Sequence, residues 1–180
     1  VVTRSVDPDG GGVQDMTLFC FDSYGLFTTT VEAKVTPTGN GAGLTGNFEA
    51  EVPENTRTVH FLANQNMSEF KEDKFRNKSE AEVMALLDGS SGRMIYWARF
   101  TCDPDNDSKI DAQMADKGNT IKMIRNHAQV SIDNPINGWI EVTGFVAYNT
   151  NAFGTVAPYH PEKGFDFEWP GEDDPFVTLP

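Results

Sequence analysis

Apolar and polar residues alternate with a period of two over several stretches of this chain, the pattern of strands that bury one face. The cleanest stretch is Ile124 to Ile132, where Ile124, Ala128, Val130 and Ile132 oppose Arg125, His127, Gln129 and Ser131. Asp133, Asn134, Pro135, Asn137 and Gly138 supply turn chemistry, and Trp139 to Tyr148 then sets Ile140, Val142, Val146 and Tyr148 on one face. The two halves predict a β-hairpin with its apolar face toward the core. Met16 to Asp22, by contrast, is continuously apolar, as suits a strand buried on both faces. Ser23, Tyr24 and Gly25 turn the chain into Leu26 to Val35, which reads as an antiparallel partner to it.

The remaining elements follow from the same pattern. Thr36 to Gly46 is a loop, because its glycines and proline fit no ladder. Phe48, Ala50 and Val52 against Glu49 and Glu51 predict a strand closed by Pro53, and Arg57 to Asn64 alternates with Val59, Phe61 and Ala63 on one face. Between Met67 and Gly92 the periodicity changes. Ser79 followed by Glu82 forms a capping-box pattern ahead of Val83, Met84, Leu86 and Leu87, which predicts a helix from about Glu80 to Asp88. A turn or two around Phe70 to Phe75 precedes it. Met94 to Phe100 reads as a strand, Asp103 to Asp111 as an acidic loop, and Phe165, Phe167 and Trp169 alternate with Asp166 and Glu168 as an edge strand or a domain contact. The sum is all-β: an antiparallel β-sandwich of about seven to nine strands with a short helical insertion. Residues 1–13 read as a flexible leader, 14–170 as the sandwich domain, and 171–180 as a linker toward a further domain.

Composition narrows the function. A chain of 180 residues is long enough to bury a core without staples. Its formal net charge of −13 sets the field of the molecule against nucleic acid and anionic membrane surfaces. No run approaches the roughly 18 apolar residues of a transmembrane helix. Cys20 and Cys102 both fall in or beside apolar strand segments, where two buried thiols and a disulfide are both open readings.

No motif in the chain predicts an enzyme, and none calls for a cofactor. His60, His127 and His160 stand on separate segments without a second ligand at metal spacing, and no nucleophile elbow or glycine-rich phosphate loop occurs. Asp103, Asp105, Asp107 and Asp111 match positions 1, 3, 5 and 9 of a calcium loop, but Ser108 replaces its glycine and Met114 its bidentate glutamate. A solvated acidic turn is the alternative. Trp139 and Trp169, beside turns or near the end, are candidate ligand aromatics as well as candidate packing residues.

Several segments, in order, carry a resemblance. They are Thr3, Arg4 and Ser5; MTLFCFDSYG at Met16 to Gly25; PENTRTVHFLAN at Pro53 to Asn64; IRNHAQVSID at Ile124 to Asp133; and GFVAYNTNAFGTVAP at Gly144 to Pro158. Together they resemble the N-terminal domain of the Bacteroidales fimbrillin family, the Mfa-like and FimA-like subunits of surface pili. Gln129 departs from the lysine usual in that family. The resemblance implies a transthyretin-like sandwich, export as a lipoprotein precursor, and a location in fimbriae at the cell surface. It also implies proteolytic maturation after an arginine, for which Arg4 is the candidate, an ordinary exposed arginine being the other reading. Partners would then be other pilus subunits, joined by β-strand addition, with host or bacterial surface ligands in addition. The alternative is a cell-surface module that binds carbohydrate or protein and does not polymerise.

Overall fold

The structure, a computed structural model, describes residues 12–37, 46–65, 67–87 and 94–126, together with 144, 146, 156, 157, 164 and 165. Six strands form one antiparallel sheet: β1 Met16–Phe21, β2 Phe27–Pro37, β3 Gly46–Glu49, β4 Thr58–Ala63, β5 Tyr96–Thr101 and β6 Ile124–Arg125. Their order across the sheet is β3-β2-β1-β4-β5-β6. The all-β class therefore holds; the described residues also include two short helices, α1 Glu80–Ala85 and α2 Ile110–Asp116, and two 3-10 turns at Met67–Glu69 and Glu72–Lys74.

The central strands β1 and β4 are buried at every residue, so each must be apolar, or internally bonded, on both faces. Register sorts their side chains. Phe19 lies opposite His60, and His60 opposite Arg99; one residue along, Leu18, Phe61 and Ala98 form the matching row on the other face. The first face packs Phe19, Phe21, Leu62 and Trp97 against Phe75, α1, Val156, Ala157 and Phe165. The second packs Leu18, Cys20, Val59, Phe61 and Phe100 against Ile110 and Met114 of α2 and against Phe48, Ala50 and Val52. Strands β3 and β4 stand three positions apart, about 14 Å in a flat sheet. The rings of Phe48 and Phe61 nevertheless meet at 5.6 Å between centroids, so the sheet curls over its second face.

The expected β1–β2 hairpin forms, and its turn has a local cause. Asp22 Oδ1 accepts from the N–H groups of Tyr24 and Leu26, while Gly25 takes φ +70°, a conformation that favours glycine. Cys20 and Cys102 are free and buried. Cys20 lies in line with Val59 and Phe100, and Cys102 follows two residues further along, so the two cysteines are separated across two strand spacings and also along the strands, beyond disulfide reach. Burial pushes the Cys20 thiol up to about 11, leaving it protonated and inert at neutral pH.

Several expectations need correction. The loop read from Thr36 to Gly46 is shorter at both ends, since Thr36 and Pro37 pair with Asn47 and Gly46 in the β2–β3 ladder. The acidic loop read from Asp103 to Asp111 gives way at Ile110 to α2, with Ile110 and Met114 one turn apart on its inner side. Lys109, its N-cap, makes no side-chain cap bond, so the usual starting signal is missing. The strand read from Phe48 to Val52 ends at Glu49, with Ala50 and Val52 packing from irregular backbone. Helix α1 ends at Ala85. The long hairpin enters the described residues at Ile124, half-buried, and Arg125, exposed, which is the expected parity; Val146, expected on the face toward the core, is instead 73 % exposed, and residues 127–143 and the aromatic tail beyond Phe165 lie outside the described residues.

Candidate functional site

The main concentration of ionisable groups inside the fold is built on the first face of the sheet. His60 on β4 and Arg99 on β5 are register partners, which sets their Cβ atoms about 5 Å apart. Trp97 lies two residues from Arg99 and so shares its face. Glu80 arrives from above, at the first turn of α1. That helix is fixed by a complete capping box: Ser79 N–H donates to Glu82 Oε2 at 2.8 Å, and Ser79 Oγ accepts from Glu82 N–H at 3.4 Å. Glu80 N–H donates to the carbonyl of Gly25 in the β1–β2 turn at 3.2 Å, tying helix to hairpin.

The bonds define the protonation states. Trp97 Nε1–H donates to His60 Nδ1 at 2.9 Å. An indole nitrogen is only a donor, so Nδ1 is bare and the ring proton sits on Nε2. That proton is donated to Glu80 Oε1 at 2.6 Å. Arg99 Nε donates to the same oxygen, and Arg99 Nη2 to Glu80 Oε2 at 3.2 Å. Burial is the main force holding His60 below its ordinary range, with Arg99 adding to it and Glu80 opposing. Burial of Glu80 works against its charge, but the bonds from His60 and Arg99 prevail and hold it down to about 2. At neutral pH the cluster is a neutral histidine, a carboxylate and a guanidinium.

Aromatic rings close the cluster. Phe165 meets His60 edge-on at 4.9 Å, and the Arg99 guanidinium lies 5.8 Å from the Phe165 centroid. Phe21 packs on the His60 ring at 5.5 Å. His60 is 0 % exposed. A general base must reach the proton it removes, and this imidazole has both nitrogens engaged and no open approach. The cluster can brace α1 on the sheet and hold a proton at a fixed atom.

The calcium-register carboxylates are arranged differently. Asp103 Oδ1 accepts from the N–H of Asp105, and Asp111 Oδ1 from the N–H of Ala112. The carbonyls of Asn106 and Ser108 are taken from inside by Gln113 Nε2, at 3.0 and 2.9 Å, and by Arg57 Nη1, at 3.4 and 2.9 Å. Among the described residues no three His, Cys, Asp or Glu side chains converge as a metal site. The guanidinium and the amide thus supply the donors that fold this loop.

A third polar device guards the outer edge of β2. Glu72 Oε1 accepts from Thr30 N–H at 2.8 Å and from Thr29 Oγ at 2.5 Å, and Phe27 N–H donates to the carbonyl of Lys78. Segment 72–79 thereby covers edge groups that β3, paired only with Lys34 to Pro37, does not reach.

Sequence reading missed the His60 cluster because its members are joined across 19, 20 and 37 positions. One signal was present: Leu62 beside His60 gives Arg57 to Asn64 a second apolar face, so a histidine there is enclosed. Arg4, Trp139, Trp169, His127 and His160 lie outside the described residues. Among the described residues no helix is long and apolar enough to cross a membrane. The chain matches no family model, no curated protein and no solved structure.

Proposed function

We propose that this chain is a structural or adhesive subunit domain of a bacterial surface pilus, matured by cleavage after Arg4 and joined to its neighbours by strand addition. One observation carries the reading: the reactive groups of the described fold, His60, Glu80 and Arg99, are spent on internal bonds under an aromatic cover, as in a scaffold. Two further points support it. The MTLFCFDSYG and TRTVHFLAN segments that carry the family resemblance fall on β1 and β4, adjacent strands at the middle of the sheet. An antiparallel sheet is also the coarse architecture that a transthyretin-like sandwich requires. Under this reading the precursor is a lipoprotein and the mature subunit lies in the fimbrium. The test is to cleave the full protein after Arg4 and follow its size. Filaments or SDS-resistant multimers are expected, and a clean, persistent monomer overturns the reading.

A second reading, a surface module that binds carbohydrate or protein without polymerising, draws on Tyr24, 86 % exposed at the β1–β2 turn beside the partly exposed Leu26. It requires saturable glycan or protein binding that Tyr24→Ala, Trp139→Ala or Trp169→Ala weakens while the fold persists. A glycan array and a surface-protein panel without hits dismiss it.

A further inference from the structure

We propose that His60 is a proton-operated latch: a proton taken from solvent at Nδ1 expels the Trp97 N–H and lifts α1 and Phe165 from the sheet. The inference is independent of the pilus reading and rests on the geometry of one ring. His60 Nδ1 is filled by an indole N–H at 2.9 Å, and a nitrogen that gains a proton becomes a donor and can no longer accept. The new N–H and the indole N–H would point at each other in a pocket that water does not enter.

Charge adds to the geometry. Among the described residues the charged groups facing His60 are Glu80 from α1 and Arg99 from β5; β1 presents Phe21, and segment 164–165 presents Phe165. Protonation puts a positive charge on the ring beside the Arg99 guanidinium under an aromatic cover, and a charge gained in such a place calls for water. Strands β1 and β5 flank His60 in the ladder and cannot yield without breaking the sheet. The layer above can: α1 has six residues and is bound to this face by Glu80, Val83 and Met84. Burial already places the ring below its ordinary value of 6.5, so the latch is closed at neutral pH and opens as the medium acidifies.

Amide exchange followed by mass spectrometry tests this on the full chain, corrected for intrinsic exchange at each pH. Protection of segment 79–87 should fall about tenfold between about pH 7.5 and about pH 5, while β1 and β4 keep theirs. In His60→Gln, whose side-chain amide can still donate to Glu80, that loss should vanish. Protection unchanged with pH, an equal loss in His60→Gln, or an equal loss in β1 and β4 overturns the latch. Should His60→Gln fail to fold, NMR titration of the native protein decides. A His60 midpoint below 6.5 that coincides with a shift of the Trp97 indole N–H supports the proposal; a midpoint at or above 6.5, or an unmoved indole signal, overturns it.

Discussion

Gln113 shows how much one amide can organise. It is buried, accepts from Asp103 N–H at 2.7 Å and donates to the carbonyls of Asn106 and Ser108. Gln113→Ala removes these bonds and leaves backbone groups with fewer partners at the loop's inner side, a loss of about 2 kcal/mol. Urea unfolding with an unchanged m-value reads it. Asp107→Asn, at an exposed position of the same loop, should move stability by less than about 0.5 kcal/mol. A ligand bound only by the native state must raise the melting temperature. Because Arg57 and Gln113 already bond the loop's inner carbonyls, Tm should be the same in excess calcium and in chelator. A rise of several degrees in calcium would make the loop a metal site after all. The sequence displayed the acidic residues and hid the donors that arrange them, since Arg57 acts from 51 positions away.

At the scale of elements, α1 separates the contribution of a cap from that of packing. Ser79→Ala removes a side-chain cap and should cost about 1 kcal/mol. Met84→Ala empties part of the cluster around Phe75 and Trp97 and should cost about 3 kcal/mol. Paired denaturation curves check the ratio, and equal losses would mean that the cap also positions Glu80. Elements with a local cause were legible in the chain: the capping box, the turn at Ser23 to Gly25, the apolar β1, and the β-forming residues of β5; the alternation read in β4 gave its strand but not its burial on both faces. Helix α2 was not, because seven residues with an uncapped start resemble a continued loop. Glu72 was equally silent. A glutamate that accepts from an edge strand 42 positions away looks, in sequence, like any other acidic residue of a solvated segment.

For the whole molecule, the decisive quantity is how charge is divided between core and surface. Glu80 is ionised in the fold down to about 2, against an ordinary value of 4.5. With the His60 latch closed, its contribution is complete above 4.5 and is lost as pH falls through the folded value near 2; opening of the latch on acidification frees the carboxylate earlier and moves that loss to higher pH. Glu80→Gln should flatten that acid limb in pH-dependent urea unfolding; an unchanged limb would assign it to other carboxylates. The surface acts in the opposite sense. With a net charge of −13 the compact state repels itself at neutral pH, and exposed pairs such as Lys109 with Glu54 offset little of this. Salt at about 0.5 M screens such repulsion over a few ångströms but hardly reaches the enclosed Glu80 cluster. Raising salt at neutral pH should therefore raise Tm. In the acid limb the surface carboxylates are largely neutral and the 14 Lys and Arg leave the molecule net positive, so salt should raise stability there as well. A Tm that falls with salt at neutral pH would mean that surface ion pairs outweigh the net repulsion, and the core would then no longer be the place where this protein's charge is used for stability.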